Sequence, residues 1–331
     1  MVKNIKFAIY GCGVIAGFHA AAIADIEGAE LYACADFYPP AAEKFAKERG
    51  IVAHADFDAL LSDSEIDVVT ICTPSGTHAD LAIKALGADK NVVLEKPMAI
   101  TVADCDRIIE AAAKSKGKIT VISQLRTSPD IIRAKELINS GAIGKVVLVD
   151  LVMKYYRAPE YFKGSWRGTK KMDGGGALMN QGIHGVDVLQ YIVGPVKNIQ
   201  SIVRTLSHEI EVEDTAVATL EFENSALGVI IASTATHPGF ERQIRINGTR
   251  GAIELVESKI VRLVIDGVDE PCEKFEGASG ASSNTAISHE GHAKQLSIFV
   301  DVLNGKDREY VNEFEGKKAV EIIETIYNKT I

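Results

Sequence analysis

Short apolar, β-branched runs alternate with stretches of helical period through residues 5–139. Residues 5–10, 30–35, 67–72, 91–94 and 118–124 read as strands, and 14–26, 57–61, 77–86 and 128–139 as helices. Strands that are apolar along their whole length need cover on both faces, so this part is a doubly wound α/β (Rossmann) domain with a parallel sheet. Around Gly141-Ala142-Ile143-Gly144 the period changes to two. Residues 146–153, 199–206, 215–223, 228–234, 242–247, 252–256 and 260–265 then alternate inside and outside positions, which predicts an α/β domain built on a large, mostly antiparallel open sheet. A helix after Gly176 covers one face of it, and the other face is a candidate subunit interface. Residues 276–285 form a polar loop, and helices follow over 289–303 and 316–328. The expected domains are 1–124 and 125–331, with the helix over 128–140 able to pack on the first.

The chain has 331 residues, 47% of them apolar, and a net charge of −9. That is enough apolar material for two cores, and the acidic balance excludes a basic nucleic-acid surface or an anionic-membrane surface. Five cysteines (Cys12, Cys34, Cys72, Cys105, Cys272) form an odd set without a CxxC pair, as expected for buried thiols in a reducing compartment. No apolar run reaches the roughly 18 residues of a membrane helix, and no signal-like core precedes Tyr10-Gly11, so a cytoplasmic protein is expected.

Chemistry concentrates at four places. Strand 5–10 feeds directly into Gly11-Cys12-Gly13-Val14-Ile15-Ala16, a GxGxxA turn. Its first glycine allows the tight bend, its second allows backbone N–H groups to reach a pyrophosphate, and Ala16 lets helix and strand approach. Asp36 ends the next strand about 20 residues on, where a carboxylate accepts from ribose hydroxyls and repels a 2′-phosphate. NAD is therefore expected over NADP. Two loops, Thr73-Pro74-Ser75-Gly76-Thr77-His78 and Glu95-Lys96-Pro97, stand at carboxyl ends of strands, where open α/β sheets bind ligands. The fourth place is 173–187, where Gly174-Gly175-Gly176 frees the backbone for close approach of a ligand. A helix begun there sets Asn180 one turn from His184, with Asp187 next on that face. Asp187 either orients the imidazole or is an ordinary surface or capping carboxylate. His78, His289 and His292 lack the spacing of a metal site, so no metal is expected.

These motifs, in this order, together with Trp166-Arg167-Gly168 and Asn247-Gly248-Thr249-x-Gly251, resemble the glucose–fructose oxidoreductase, inositol dehydrogenase and rhizopine catabolism (Gfo/Idh/MocA) family over essentially the whole chain. The resemblance implies NAD(P)-linked transfer of hydride to or from a sugar, polyol or nucleotide-sugar, in a homodimer or homotetramer. It implies that Lys96 and His184 are the catalytic pair. Gly11, Gly13, Val14, Ile15, Asp36, Thr73, Pro74, His78, Glu95, Lys96, Trp166 and Arg167 would face the cofactor. Arg126, Tyr156, Arg157 and Asn180 would join Lys96 and His184 at the substrate. The family often carries aspartate where this chain has Asn180, and an amide orients a hydroxyl without taking its proton. The aromatic, cationic segment 154–162, running into Trp166-Arg167-Gly168-Thr169, and the run Met179-Asn180-Gln181 resemble the branch acting on nucleotide-linked amino-sugar uronates, whose long substrates would meet Ser279 to Ser283 and His292 at their distal part. Two other readings share the fold: a non-catalytic NAD(P)-sensing protein, and an enzyme that recycles a tightly held NAD.

Overall fold

The structure, a computed structural model, describes residues 3–276 and 288–331, so the serine-rich stretch 279–283 lies outside the described residues. The chain forms two compact units that divide between Gln124 and Leu125. Ser288–Lys317 belongs to the first unit and Lys318–Ile331 to the second.

In the first unit, strands β1 (Ile5–Tyr10), β2 (Ala29–Ala35), β3 (Val52–Ala53), β4 (Val68–Ile71), β5 (Asn91–Leu94) and β6 (Ile119–Val121) form one sheet in the order β3-β2-β1-β4-β5-β6. Every pairing is parallel. The strand order reverses between β1 and β4, and a ligand crevice opens at the carboxyl ends of such a pair. Helices α1 (Val14–Ala24), α2 (Pro39–Arg49), α3 (Phe57–Ser62), α4 (His78–Gly87) and α5 (Val102–Ala112) alternate with the strands. The apolar pattern leaves α2 and α5 unannounced. Their start signals are local instead: Pro39-Pro40 presets the first turn of α2, and Thr101 Oγ1 accepts the Asp104 N–H to cap α5.

The second unit holds α6 (Pro129–Asn139), β7 (Val146–Lys154), α7 (Ile183–Val193), β8 (Val196–Arg204), β9 (Thr215–Phe222), β10 (Leu227–Ser233), β11 (Gln243–Gly248), β12 (Gly251–Val256), β13 (Lys259–Ile265) and β14 (Val268–Glu270). Its eight strands run in the order β14-β13-β12-β11-β7-β10-β9-β8, antiparallel except for β7 with β10. Helix α6 belongs here rather than to the first domain. Asp130 at its start accepts the Ile260 N–H, and Ser128 Oγ donates to the Ser258 carbonyl.

Helix α8 (Glu290–Leu303) corrects the expected boundary in the other direction. Its Leu296, Phe299 and Val300 share one buried cluster with Phe7, Ile9, Ala16 and Ile23, so apolar burial returns this late segment to the first unit. Helix α9 (Glu313–Asn328) begins three residues before the expected 316. Among the described residues no helix is long and apolar enough to cross a membrane. All five cysteines are free thiols, with Cys34, Cys72 and Cys105 buried.

Candidate active site

The turn after β1 explains its glycines by contact. Gly11 has φ +95°, and a Cβ there would stand 2.9 Å from the carbonyl carbon and oxygen of Cys72, so both conformation and space demand glycine. Gly13 is different, because a Cβ on it would meet nothing within 4 Å. Helix α1 begins at Gly13 with no capping side chain and no acidic residue in its first turn, and Val14 beside it is exposed. The first N–H groups of α1 thus have an open approach and a favourable dipole, which suits the pyrophosphate of a dinucleotide. Ile15 is half-buried, while Ala16 is wholly buried where α1 joins the core. Asp36 is fixed by two backbone donors, Cys12 N–H to Oδ2 at 2.6 Å and Tyr38 N–H to Oδ1 at 2.7 Å. Its remaining lone pairs suit a ribose diol, and the neighbouring Phe37 is exposed apolar surface rather than a phosphate-binding arginine.

Thr73 and Pro74 follow β4 at the crevice, half-buried, with Thr73 Oγ1 and Thr77 Oγ1 2.7 Å apart. His78, expected to face the cofactor, is 1% exposed, and its two ring nitrogens lie 2.8 Å from the Pro97 carbonyl and 2.9 Å from the Thr73 carbonyl. Burial lowers its pKa even though both carbonyls favour a proton. The ring therefore ties the loop after β4 to the loop after β5, and its imidazole is spent on that.

Glu95 also turns inward. Oε1 accepts from His19 Nε2 at 2.7 Å, and Oε2 accepts the Lys96 N–H at 3.1 Å. His292 Nε2 stands 3.5 Å from the same Oε1. His292, expected at the far end of a substrate, is 2% exposed, because α8 packs it into the first unit's core. His19, Glu95 and His292 bring their ligating atoms within 4.8 Å of one another, a convergence that sequence spacing does not suggest. The signal available for His19 was a lone imidazole in the otherwise apolar helix Val-Ile-Ala-Gly-Phe-His-Ala-Ala-Ala-Ile-Ala. Lys96 follows Glu95, half-buried, joined to Pro97 by a cis peptide.

His184 and its surroundings lie in the second unit. Gly174 has φ +74°, but a Cβ on Gly175 would overlap the Tyr327 hydroxyl, and one on Gly176 would overlap the Glu213 carbonyl oxygen. The latter two glycines therefore admit the protein's own chain, which corrects the expectation that they open the backbone to a ligand. Glu213 caps the segment that follows, accepting Gly176 N–H and Leu178 N–H at 2.8 Å each and the Tyr327 hydroxyl at 2.9 Å. Burial raises the Glu213 pKa against the pull of these donors. Residues Ala177–Gly182 form a π-helical turn before α7 takes the regular α pitch at Ile183, a local widening often found at functional sites. His184 is half-buried in the first turn of α7.

Around His184 the polar side chains form a linked set. Arg157 Nη2 donates to Gln181 Oε1 at 2.7 Å, and Gln181 Nε2 donates to Asn180 Oδ1 at 2.7 Å and Tyr161 Oη at 3.0 Å. Asn180 Nδ2 donates to Asp173 Oδ1 at 2.5 Å, and Asp173 Oδ2 accepts the Gly168 N–H at 2.8 Å. Asn180 is thus an amide fixed by two protein partners. Arg157 is buried between the Tyr155 and Tyr161 rings, and burial lowers its basicity. Tyr156 is half-buried, its ring edge-on to His237. Arg167 stacks over Tyr161 and Trp166, with centroid distances of 4.7 and 5.1 Å. Asp173 and Gln181 lie in the glycine-flanked stretch as ordinary polar residues, and these hydrogen bonds give each a definite partner.

Arg126, expected at the substrate, is instead 7% exposed and grips Asp187 bidentately, Nε to Oδ2 at 2.9 Å and Nη2 to Oδ1 at 2.6 Å. Its guanidinium also lies over the Tyr191 ring. A planar fork matched to a carboxylate makes a strong buried pair, and Asp187 gains a definite task in holding α7 to the segment before α6.

Residues 5–123 match the oxidoreductase family with NAD-binding Rossmann fold, and residues 131–254 match the GFO/IDH/MocA C-terminal domain. The chain is 29% identical to the WlbA dehydrogenase of Bordetella pertussis, solved with NADH and UDP-GlcNAcA. That match covers 99% of this chain and 96% of the other, with a TM-score of 0.88. The WlbA dehydrogenase of Chromobacterium violaceum, solved with the same two ligands, is 30% identical over 99% of this chain and 94% of its own, also with a TM-score of 0.88. A myo-inositol 2-dehydrogenase from Thermotoga maritima is 28% identical over 259 residues, 75% of this chain and 74% of that protein.

Proposed function

The chain belongs to the GFO/IDH/MocA oxidoreductase family, and we propose that it is an NAD-dependent dehydrogenase that oxidises a hydroxyl of a nucleotide-linked sugar acid. The observation that carries the substrate class is the likeness along 99% of the chain to two WlbA dehydrogenases solved with NADH and UDP-GlcNAcA. The inositol dehydrogenases match a smaller share of the chain.

Oxidation of an alcohol needs two removals, a proton from oxygen and a hydride from carbon. Bound NAD supplies the hydride acceptor at the nicotinamide. His184 takes the hydroxyl proton, since an imidazole exchanges protons near neutral pH. The Lys96 ammonium stabilises the developing alkoxide. Asn180, held by Asp173 and Gln181, orients a substrate hydroxyl without exchanging its proton. The half-buried Tyr156 stands in the same unit for a polar group of the substrate, whereas Arg157, expected there too, is 4% exposed and bonded to Gln181, so it holds that amide instead.

A panel of UDP-sugar acids, free aldoses and inositols, each assayed for NADH formation with NAD and with NADP, tests this reading. A UDP-sugar acid with NAD is expected to give the highest kcat/KM, and preference for a free polyol or for NADP would contradict it.

We also propose that two copies associate through the open face of the eight-stranded sheet. Ile202, Val217, Ile231 and Val152 lie in register across β8, β9, β10 and β7 on that face, flanked by exposed Leu148 and Leu227. Light scattering should give a mass of at least two chains, reduced by Val217→Lys. A monomeric wild type would refute the interface.

A further inference from the structure

Two buried histidines and a buried glutamate stand behind Lys96, and the reaction described above uses none of them. His19 on α1, His292 on α8 and Glu95 at the end of β5 are 0%, 2% and 5% exposed. Both imidazoles approach one carboxylate oxygen through Nε2, at 2.7 and 3.5 Å, with their rings edge to face at 5.1 Å. The other carboxylate oxygen takes the Lys96 N–H. Neither Nδ1 has a hydrogen-bond partner among the described residues.

That last fact decides what the group is. A histidine that ligates a metal through Nε2 carries its proton on Nδ1 and donates it to a neighbour. Here such a proton would be a buried donor without an acceptor, a costly arrangement. With the protons on Nε2, His19 donates to Glu95, His292 turns its N–H toward the same oxygen at 3.5 Å, and only a lone pair on each ring is left facing the core. Burial pushes the His19 pKa down, which favours this neutral form. Burial also works against charge on Glu95, yet the two imidazole donors outweigh it and hold its carboxyl well below the usual range. The group is an ionised carboxylate clamped between two imidazoles.

We propose that His19 and His292 are positioning residues for Lys96, acting through Glu95. The carboxylate fixes the backbone N–H of the residue whose ammonium must meet a substrate oxygen, and it is itself fixed from α1 and α8. A displacement of about 1 Å at a reacting group costs on the order of 100-fold in rate, so loosening this clamp reaches the chemistry without touching it. The inference rests on the role given to Lys96.

The test is a cycle in the full chain: His292→Leu and His292→Gln, each alone and combined with Lys96→Ala. His292→Leu is expected to lower kcat about 10-fold or more, with NADH affinity, read by fluorescence titration, changed less than about twofold. His292→Gln keeps an N–H donor and should recover most of the rate, which also guards against a leucine variant that fails to fold. In the Lys96→Ala background neither change should lower the rate further, because residues acting through one another are not additive. Equal losses in both backgrounds would overturn the proposal as a purely structural effect, and so would one equivalent of zinc retained by the purified wild type. Wild-type turnover by Lys96→Ala alone would instead overturn the reading of Lys96, and this inference with it.

Discussion

Replacing Lys96 with alanine is expected to lower kcat by about 10²–10³-fold, the loss seen when one preorganised charge or donor at a developing oxyanion is removed. The substitution deletes the ammonium but leaves the backbone N–H that Glu95 accepts, so the end of β5 keeps its anchor. NADH binding should therefore fall by no more than about threefold, a split between chemistry and binding that identifies a transition-state contact. His184→Ala is expected to cost about 10²–10⁴-fold in kcat, the usual range for loss of a general base. Its rate should recover in part when imidazole is added. Steady-state rates and fluorescence titration of both variants provide the check, and near-normal kcat in either would remove that residue from the mechanism.

The second large effect is structural. Gly176→Ala should lower stability by about 1–3 kcal/mol, the range for a forced overpacking, and Tm by roughly 5 °C in a unit of this size. A methyl group at this position overlaps the Glu213 carbonyl oxygen, which cannot swing aside as a flexible side chain does. The main chain has to shift, and with it the Gly176 and Leu178 N–H groups that Glu213 holds at the start of the π turn. His184 stands two residues beyond that turn, so kcat should fall along with Tm. Thermal unfolding beside turnover makes the comparison, and an unchanged Tm would show that Glu213 does not set the entry to this helix.

Much of the architecture is legible in the chain because burial writes directly into hydropathy. The change of period near residue 144 separates a parallel sheet, apolar throughout its strands, from a mostly antiparallel one that alternates. The GxGxxA turn is legible too, since Gly11 and Gly13 answer a steric and an approach requirement that local sequence shows. What escaped depends on contacts between residues far apart. His292 reaches Glu95 from 197 positions away because α8 returns to the first unit's core, and no local pattern carries that return. The resemblance places Arg126 at the substrate, yet Asp187, 61 positions on, takes both arms of its fork. The Gly175-Gly176 pair read as freedom of the backbone and is close packing, because Tyr327 and Glu213 occupy the space that side chains would need. Composition reports what a residue permits; only the neighbours tell which permission is used.

A single turnover isolates the hydride transfer from binding and release. Enzyme saturated with NAD is mixed with excess UDP-linked sugar acid deuterated at the oxidised carbon, and reduced nicotinamide is followed by absorbance and its deuterium content by mass spectrometry. The predicted result is one deuterated NADH per active site in the wild type, formed about 10²–10³-fold more slowly in Lys96→Ala. Bound nicotinamide that stays oxidised in the wild type, or that is reduced equally fast in the variant, would contradict the account.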